Sequence, residues 1–247
     1  DPLSRTAVVF SGKRPSLYLK KCLAEGFSQP FYPPRCYSVD EFFDHISRKK
    51  YHDFTDLEYT DAVWFLYQSI QSMKVFSEHP FMQKGFGNFF YWGRHILNFI
   101  DQLDNENVTD KILLTLQGNA KIGYDVPESV NNLLLNISEV RNKFHEILIE
   151  KKYFTKGFKR LCTSGLTSGM KLDEFEKVYF AGLFALTGTE KKIVKDIWLN
   201  NEAEIIIEGN PENWHILENL SDYIGSDVEA IDALPSRPEL VKVYSAL

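Results

Sequence analysis

The chain has 247 residues, 44% hydrophobic and 25% charged, the make-up of an ordinary globular protein. Its net charge of −6 argues against a surface given over to gripping phosphates, so any nucleic-acid contact has to be local. The three cysteines, Cys22, Cys36 and Cys162, are far apart and form no CxxC, which excludes a zinc site or disulfide framework by spacing and predicts a reduced, cytoplasmic setting.

Residues 7 to 10, Ala-Val-Val-Phe, are a short apolar run of the kind buried on both faces of a parallel sheet. The turn Ser11-Gly12-Lys13-Arg14 follows, then a predicted helix from Pro15 to Leu23, with proline suited to its first turn. Arg35-Cys36-Tyr37 reads as a second strand. Ser38, with Glu41 three residues on, makes a capping box for the next helix.

From 38 to about 160 the apolar spacing is helical almost throughout. It is clearest over 59–76, 89–103 and 130–149, where Val140, Phe144 and Leu148 share a face. After residue 170 strands return at 177–186 (KVYFAGLFAL), 204–208 and 228–233. They alternate with helices at about 187–199, 211–224 and from 238, the first opening on a Thr187–Glu190 capping box. Strand–helix alternation predicts an α/β fold with right-handed crossovers. The expected fold is a P-loop NTPase-like parallel sheet with a large all-helical insertion. Residues 1–37 and 171–247 would form the core and 38–170 the insertion. The opening Asp1-Pro2 and the closing VKVYSAL, which reads as a helix cut in mid-course, suggest a piece of a longer polypeptide.

Gly12-Lys13 stands where a phosphate-binding loop, GxxxxGK[ST], would end. Such a loop needs glycines so that backbone N–H groups surround phosphates, a lysine for their charge and a hydroxyl for Mg²⁺. Here Ala7 holds the first-glycine position, Arg14 replaces the hydroxyl, and Val8, Val9, Phe10 and Ser11 between them belong to a strand. A partner strand should end in an acidic pair to hold Mg²⁺. Its candidate, Lys177 to Gly182, ends instead in Ala181-Gly182. Both positions required for hydrolysis are degenerate, so no catalytic residue, metal or cofactor is expected.

Glu190-Lys191-Lys192, with Asp173 upstream, matches half of a metal-dependent nuclease pattern, but it opens a helix and reads as solvated first-turn charge. His95, among aromatic neighbours, reads as a packed histidine. Asp101 and Asp104 read as surface charges at a helix end. Lys152, Lys156, Lys159 and Arg160, interleaved with Tyr153, Phe154 and Phe158, are a candidate DNA contact. The alternative there is a helix end whose cations answer the dipole while the phenylalanines pack inward. Lys13, Arg14, Lys20 and Lys21 form a second basic patch, and Arg48-Lys49-Lys50 reads as a helix C-terminus.

The series VVFSGKRPSLYLKKCL, PFYPPRCYSVDEFF, FFYWGRHILNFIDQLD, VYFAGLFALTGTEKKIVKDIW and EAEIIIEGNPE resembles, in order and over most of the chain, the N-terminal helicase-like region of AddB/RexB-type proteins. The likeness is to the large PD-(D/E)XK nuclease-family proteins of that kind in Bacteroidetes. The resemblance implies an inactivated superfamily 1 helicase-like domain, with the nuclease elsewhere in the parent chain. It also implies a role in DNA double-strand-break processing beside an AddA-type helicase–nuclease subunit. No apolar run approaches the ~20 residues of a membrane span, so no membrane partner is expected. No family catalytic residue carries over, since neither motif matches. Two other readings stay open: a P-loop domain with a divergent loop, and an interaction module without DNA contact.

Overall fold

A computed structural model describes residues 2–76, 80, 82–113, 115, 128–183, 185–208, 215–225, 228–231 and 243–246. The fold is α/β. The chain divides into two compact units, residues 1–50 with 163–247, and residues 51–162.

The first unit is built on β1 (Thr6–Phe10), α1 (Arg14–Gly26), β2 (Arg35–Ser38) and α2 (Val39–Ser47). β1 runs parallel to β2, with Val8 opposite Cys36. Its strand run is apolar because it is interior: Ala7 and Val9 are fully buried. α2 starts where predicted. Ser38 and Glu41 form the reciprocal capping box, and the helix buries Phe42, Phe43 and Ile46. That apolar face places α2 in the sheet's own core, although its helical pattern is continuous in sequence with the segment that follows.

The second unit holds β3 (Thr55–Asp56), α3 (Tyr59–Gln71), α4 (Phe86–Asn105), α5 (Glu128–Lys151), β4 (Tyr153–Phe154) and the start of α6 (Lys156–Leu166). Its core joins Val63, Leu66 and Ile70 of α3 to Ile96, Leu97 and Ile100 of α4 and to Val140, Phe144 and Leu148 of α5. Each such buried side chain contributes about 1.5–3 kcal/mol. The expectation of an all-helical insertion is corrected by β3 and β4. They pair in parallel, Thr55 opposite Tyr153 and Asp56 opposite Phe154. Thr55 N–H donates to the Lys152 carbonyl at 2.9 Å and Leu57 N–H to that of Phe154 at 2.8 Å.

The chain then returns to the sheet with β5 (Lys177–Ala181), α7 (Gly188–Asn200), β6 (Ala203–Glu208), α8 (His215–Ile224), β7 (Val228–Ile231) and β8 (Val243–Ala246). The six strands lie in the order β2-β1-β5-β6-β8-β7. The first four are parallel, and β8 runs antiparallel to both β6 and β7. The wholly parallel sheet expected from the alternation therefore holds for four strands. The helix expected from 238 is strand over Val243–Ala246, because that stretch pairs on both sides.

The core of this unit packs α2 with Ile193, Val194 and Ile197 of α7 and with Val178, Phe180 and Ile205 of the sheet. Phe42 meets Phe180 edge-on, ring centroids 5.8 Å apart, a favoured aromatic geometry. α1 differs from its neighbours. None of its residues is fully buried, and Leu17 and Tyr18 are 68% and 71% exposed.

Candidate functional site

In open α/β sheets, ligands bind at the carboxyl ends of the strands where the strand order reverses. β1 is followed in sequence by β2 on one side and flanked by β5 on the other, so the reversal lies between β1 and β5. Phe10 is opposite Ala181 in that pair. The turn Ser11-Gly12-Lys13-Arg14 and the end Ala181-Gly182 are thus brought together, as a nucleotide site would require.

The chemistry at this edge is not that of a phosphate cradle. Gly12 has an ordinary φ, and a Cβ built there would meet nothing within 4 Å. No close backbone approach depends on that glycine. Lys13 is the N-cap of α1, with helical φ and ψ of −79° and −29°, so the strand passes into the helix with no wide loop between. Ser16 Oγ donates to the Lys13 carbonyl at 2.6 Å.

Lys13 Nζ lies 2.7 Å from Glu41 Oε1. Glu41 Oε2 accepts the Ser38 N–H at 2.9 Å, and Ser38 Oγ at 3.0 Å. The Lys13 ammonium, then the Ser38 donors, hold the Glu41 carboxyl at about 2, while Glu41 pushes the Lys13 ammonium up. A carboxylate from the start of α2 therefore neutralises the lysine. Ser11 and Arg14 are exposed.

At the partner strand no carboxylate follows Phe180. Ala181 is half-buried. Gly182 adopts φ +68° and continues the ladder by donating to the Ile206 carbonyl at 2.9 Å. The first acid beyond is Glu190, whose Oε2 accepts the Thr187 N–H at 2.8 Å as the predicted cap. Glu190 is buried, which corrects its reading as a solvated charge: a capping carboxylate at the packed start of α7 is enclosed with its helix.

Lys192 Nζ donates to the Ser164 carbonyl at 2.8 Å, Ser168 Oγ at 3.0 Å and Asp196 Oδ2 at 2.5 Å. Asp173 serves through its backbone carbonyl, which accepts Arg5 at 2.9 Å. Glu190 and Lys192 of the nuclease-like triplet are thus spent on a helix cap and a tether. Lys49 Nζ lies 2.5 Å from Glu174 Oε1, which also accepts His45 Nε2 at 2.9 Å.

The basic stretch around β4 is largely engaged within its own unit. Lys152 Nζ donates to Asp53 at 2.5 Å, and Lys159 Nζ bridges both Asp56 oxygens at 3.0 and 3.1 Å. Lys156 is exposed and Arg160 half-buried. Phe154 and Phe158 are buried, and Phe158 stacks on His145 with centroids 4.1 Å apart. The phenylalanines are core, so they offer no face to a base.

Of the two residues read as surface charges, Asp101 is half-buried and bonded inward and Asp104 is interior. Asp104 is fully buried. Arg141 Nε donates to its Oδ1 at 2.7 Å, and His145 Nε2 to its Oδ2 at 2.9 Å. Arg141 Nη1 also reaches the Val108 carbonyl at 2.6 Å. Asp101 Oδ1 accepts Thr155 Oγ1 at 2.6 Å and the Gly157 N–H at 3.1 Å. Thr155 Oγ1 in turn accepts the Phe158 N–H at 3.3 Å. Asp101 and Thr155 together cap α6. Burial pushes the Asp101 carboxyl up, against the pull of the Thr155 bond.

Sequence reasoning singled out neither Arg141 nor His145. Their signal is a cation and an imidazole at i and i+4, flanking Val140 and Phe144 on the buried face of α5. His95, expected to be packed, is exposed on α4, its ring edge-on to Tyr91 at 5.1 Å. The inward face of that helix is already filled by Phe89, Ile96 and Ile100.

Among the described residues no group of three or more His, Cys, Asp or Glu side chains could hold a metal ion. None of the described helices is long and apolar enough to cross a membrane. No protein-family model matches the chain, and no curated protein matches it.

Proposed function

We propose that this chain is a non-catalytic, helicase-like α/β domain of a DNA double-strand-break repair helicase–nuclease of AddB/RexB type. It scaffolds the assembly and guides a DNA strand, hydrolyses no ATP of its own, and works beside an AddA-type subunit. Its sheet is the relic of a P-loop NTPase core. The observation that carries this reading is the pairing of Lys13 with Glu41 beside a partner strand ending in Ala181-Gly182. The position for phosphate charge is met by a carboxylate, and the position for Mg²⁺ has no carboxylate.

Calorimetry with ATP and Mg²⁺ tests it. No resolvable heat of binding and no phosphate release are expected; micromolar affinity would overturn the reading.

A second reading, an interaction module without DNA contact, draws on α1, whose Leu17 and Tyr18 face solvent. Salt-dependent binding to single-stranded DNA separates the two, since only a phosphate-contacting surface releases counterions.

A further inference from the structure

We propose that the outer face of α4 is a stacking platform for single-stranded DNA, built from Tyr91, Trp92, His95 and Phe99 with Arg94 among them. The proposal rests on the DNA-guiding reading above and names the surface that does the guiding.

Tyr91, Trp92 and Phe99 are 64%, 45% and 37% exposed. Tyr91, His95 and Phe99 fall at i, i+4 and i+8, one line along the helix. They are not core residues displaced outward, because Phe89, Ile96, Leu97 and Ile100 fill the opposite face. The rings are set against one another: Tyr91 meets Trp92 at 6.0 Å and 87°, and His95 at 5.1 Å and 71°. Tyr59 extends the surface. Its hydroxyl donates to the Arg94 carbonyl at 3.2 Å and to Asn98 Oδ1 at 3.1 Å, and Arg94 lies over its ring at 5.9 Å.

Charge selects the occupant. No Asp or Glu occurs from Met82 to Ile100, in a chain that carries 34 of them and a net charge of −6. Asp101, the next acid, is turned to Thr155 and Gly157. Glu58 and Asp61, sequence neighbours of Tyr59, are exposed. Exposed rings with a cation and no acid between them suit unpaired bases on a phosphate backbone, since every base has a face to stack and the phosphates meet the arginine. The basic stretch at Lys152 to Arg160 lacks this combination: its phenylalanines are buried and two of its lysines are held by Asp53 and Asp56.

The test is fluorescence anisotropy of labelled dT20 with the whole chain at low salt. Wild type should bind, and Y91A/W92A should bind at least tenfold more weakly, in line with a stacking contribution of about 1–3 kcal/mol per base. R94A should lower the slope of log affinity against log salt by about 1. W92F should keep binding while losing the part of the tryptophan quench that dT20 causes.

If wild type binds but Y91A/W92A binds equally well, the platform is wrong and the DNA-guiding reading stands. A matching loss in K152A/K159A/R160A would then move the contact to the basic stretch. A duplex of equal length competing as well as dT20 would also overturn stacking. If wild type binds no DNA, both fall. In that case, sedimentation as a dimer that Y91A/W92A dissociates would identify the face as a protein contact.

Discussion

Lys13 and Glu41 close a 2.7 Å ion pair between the starts of two helices that leave neighbouring parallel strands. The pair occupies the ground where a phosphate-binding lysine would work, yet it is itself a surface bridge, with side chains 77% and 44% exposed. Such bridges contribute little to stability, because solvent screens them and two long side chains must be ordered. Lys13→Ala should therefore leave the urea midpoint unchanged. Ser38→Ala, which removes the hydroxyl of the same cluster and with it the cap of α2, should cost about 1 kcal/mol. A large loss on Lys13→Ala, or none on Ser38→Ala, would reverse this ordering of the two contributions.

Asp104 depends on partners that no surface charge needs. It is fully buried, and both oxygens are bonded, to Arg141 and to His145. Removing one member of a buried pair strands the other charge, at about 3–5 kcal/mol. Arg141→Ala should destabilise the helical unit by that amount in urea denaturation. Asp104→Asn with Arg141→Met should cost clearly less than the sum of the two single changes, since it removes the charge and its partner together. Additive losses would mean that the residues act independently.

Local signals were legible in the sequence, and distant partners were not. The strand at Thr6–Phe10 and the capping boxes at Ser38–Glu41 and Thr187–Glu190 follow from spacings of a few residues. The pairing of Thr55–Asp56 with Tyr153–Phe154 joins two-residue strands across the whole helical segment, too short to leave an alternating pattern. Asp104 was misread because Arg141 and His145 lie on another helix. The strand at Val243–Ala246 was misread because its neighbours β6 and β7 decide its conformation, and four residues do not separate strand from helix.

Gly157 and Gly12 answer oppositely to a methyl group. At Gly157 an added Cβ would lie 2.6 Å from the Asp101 carbonyl oxygen and 2.7 Å from its Cα, both backbone atoms. Gly157→Ala should force α6 away from α4 and cost about 1–3 kcal/mol, as overpacking does. At Gly12 there is open space and an ordinary φ, so Gly12→Ala should be neutral or stabilise by about 0.4–1 kcal/mol through the unfolded chain. Thermal unfolding of both variants checks the contrast. A destabilised Gly12→Ala would show that the turn uses its glycine, as a nucleotide loop would.

Glu174 sets part of the acid stability of the sheet unit. Burial pushes its carboxyl up, but the hydrogen bonds from Lys49 and His45 outweigh that and hold it at about 2, below its ordinary 4.5. A carboxyl depressed by folding stabilises the native state above its unfolded value, and this contribution disappears as pH falls through the folded one. The stability difference between wild type and Glu174→Gln should therefore be fully present above about pH 4.5 and shrink steadily towards pH 2. Urea denaturation of both proteins across that window measures it directly. A difference that does not change with pH, or a Glu174 carboxyl titrating near 4.5 by carbon-13 NMR, would show that the bonds from Lys49 and His45 do not hold the charge.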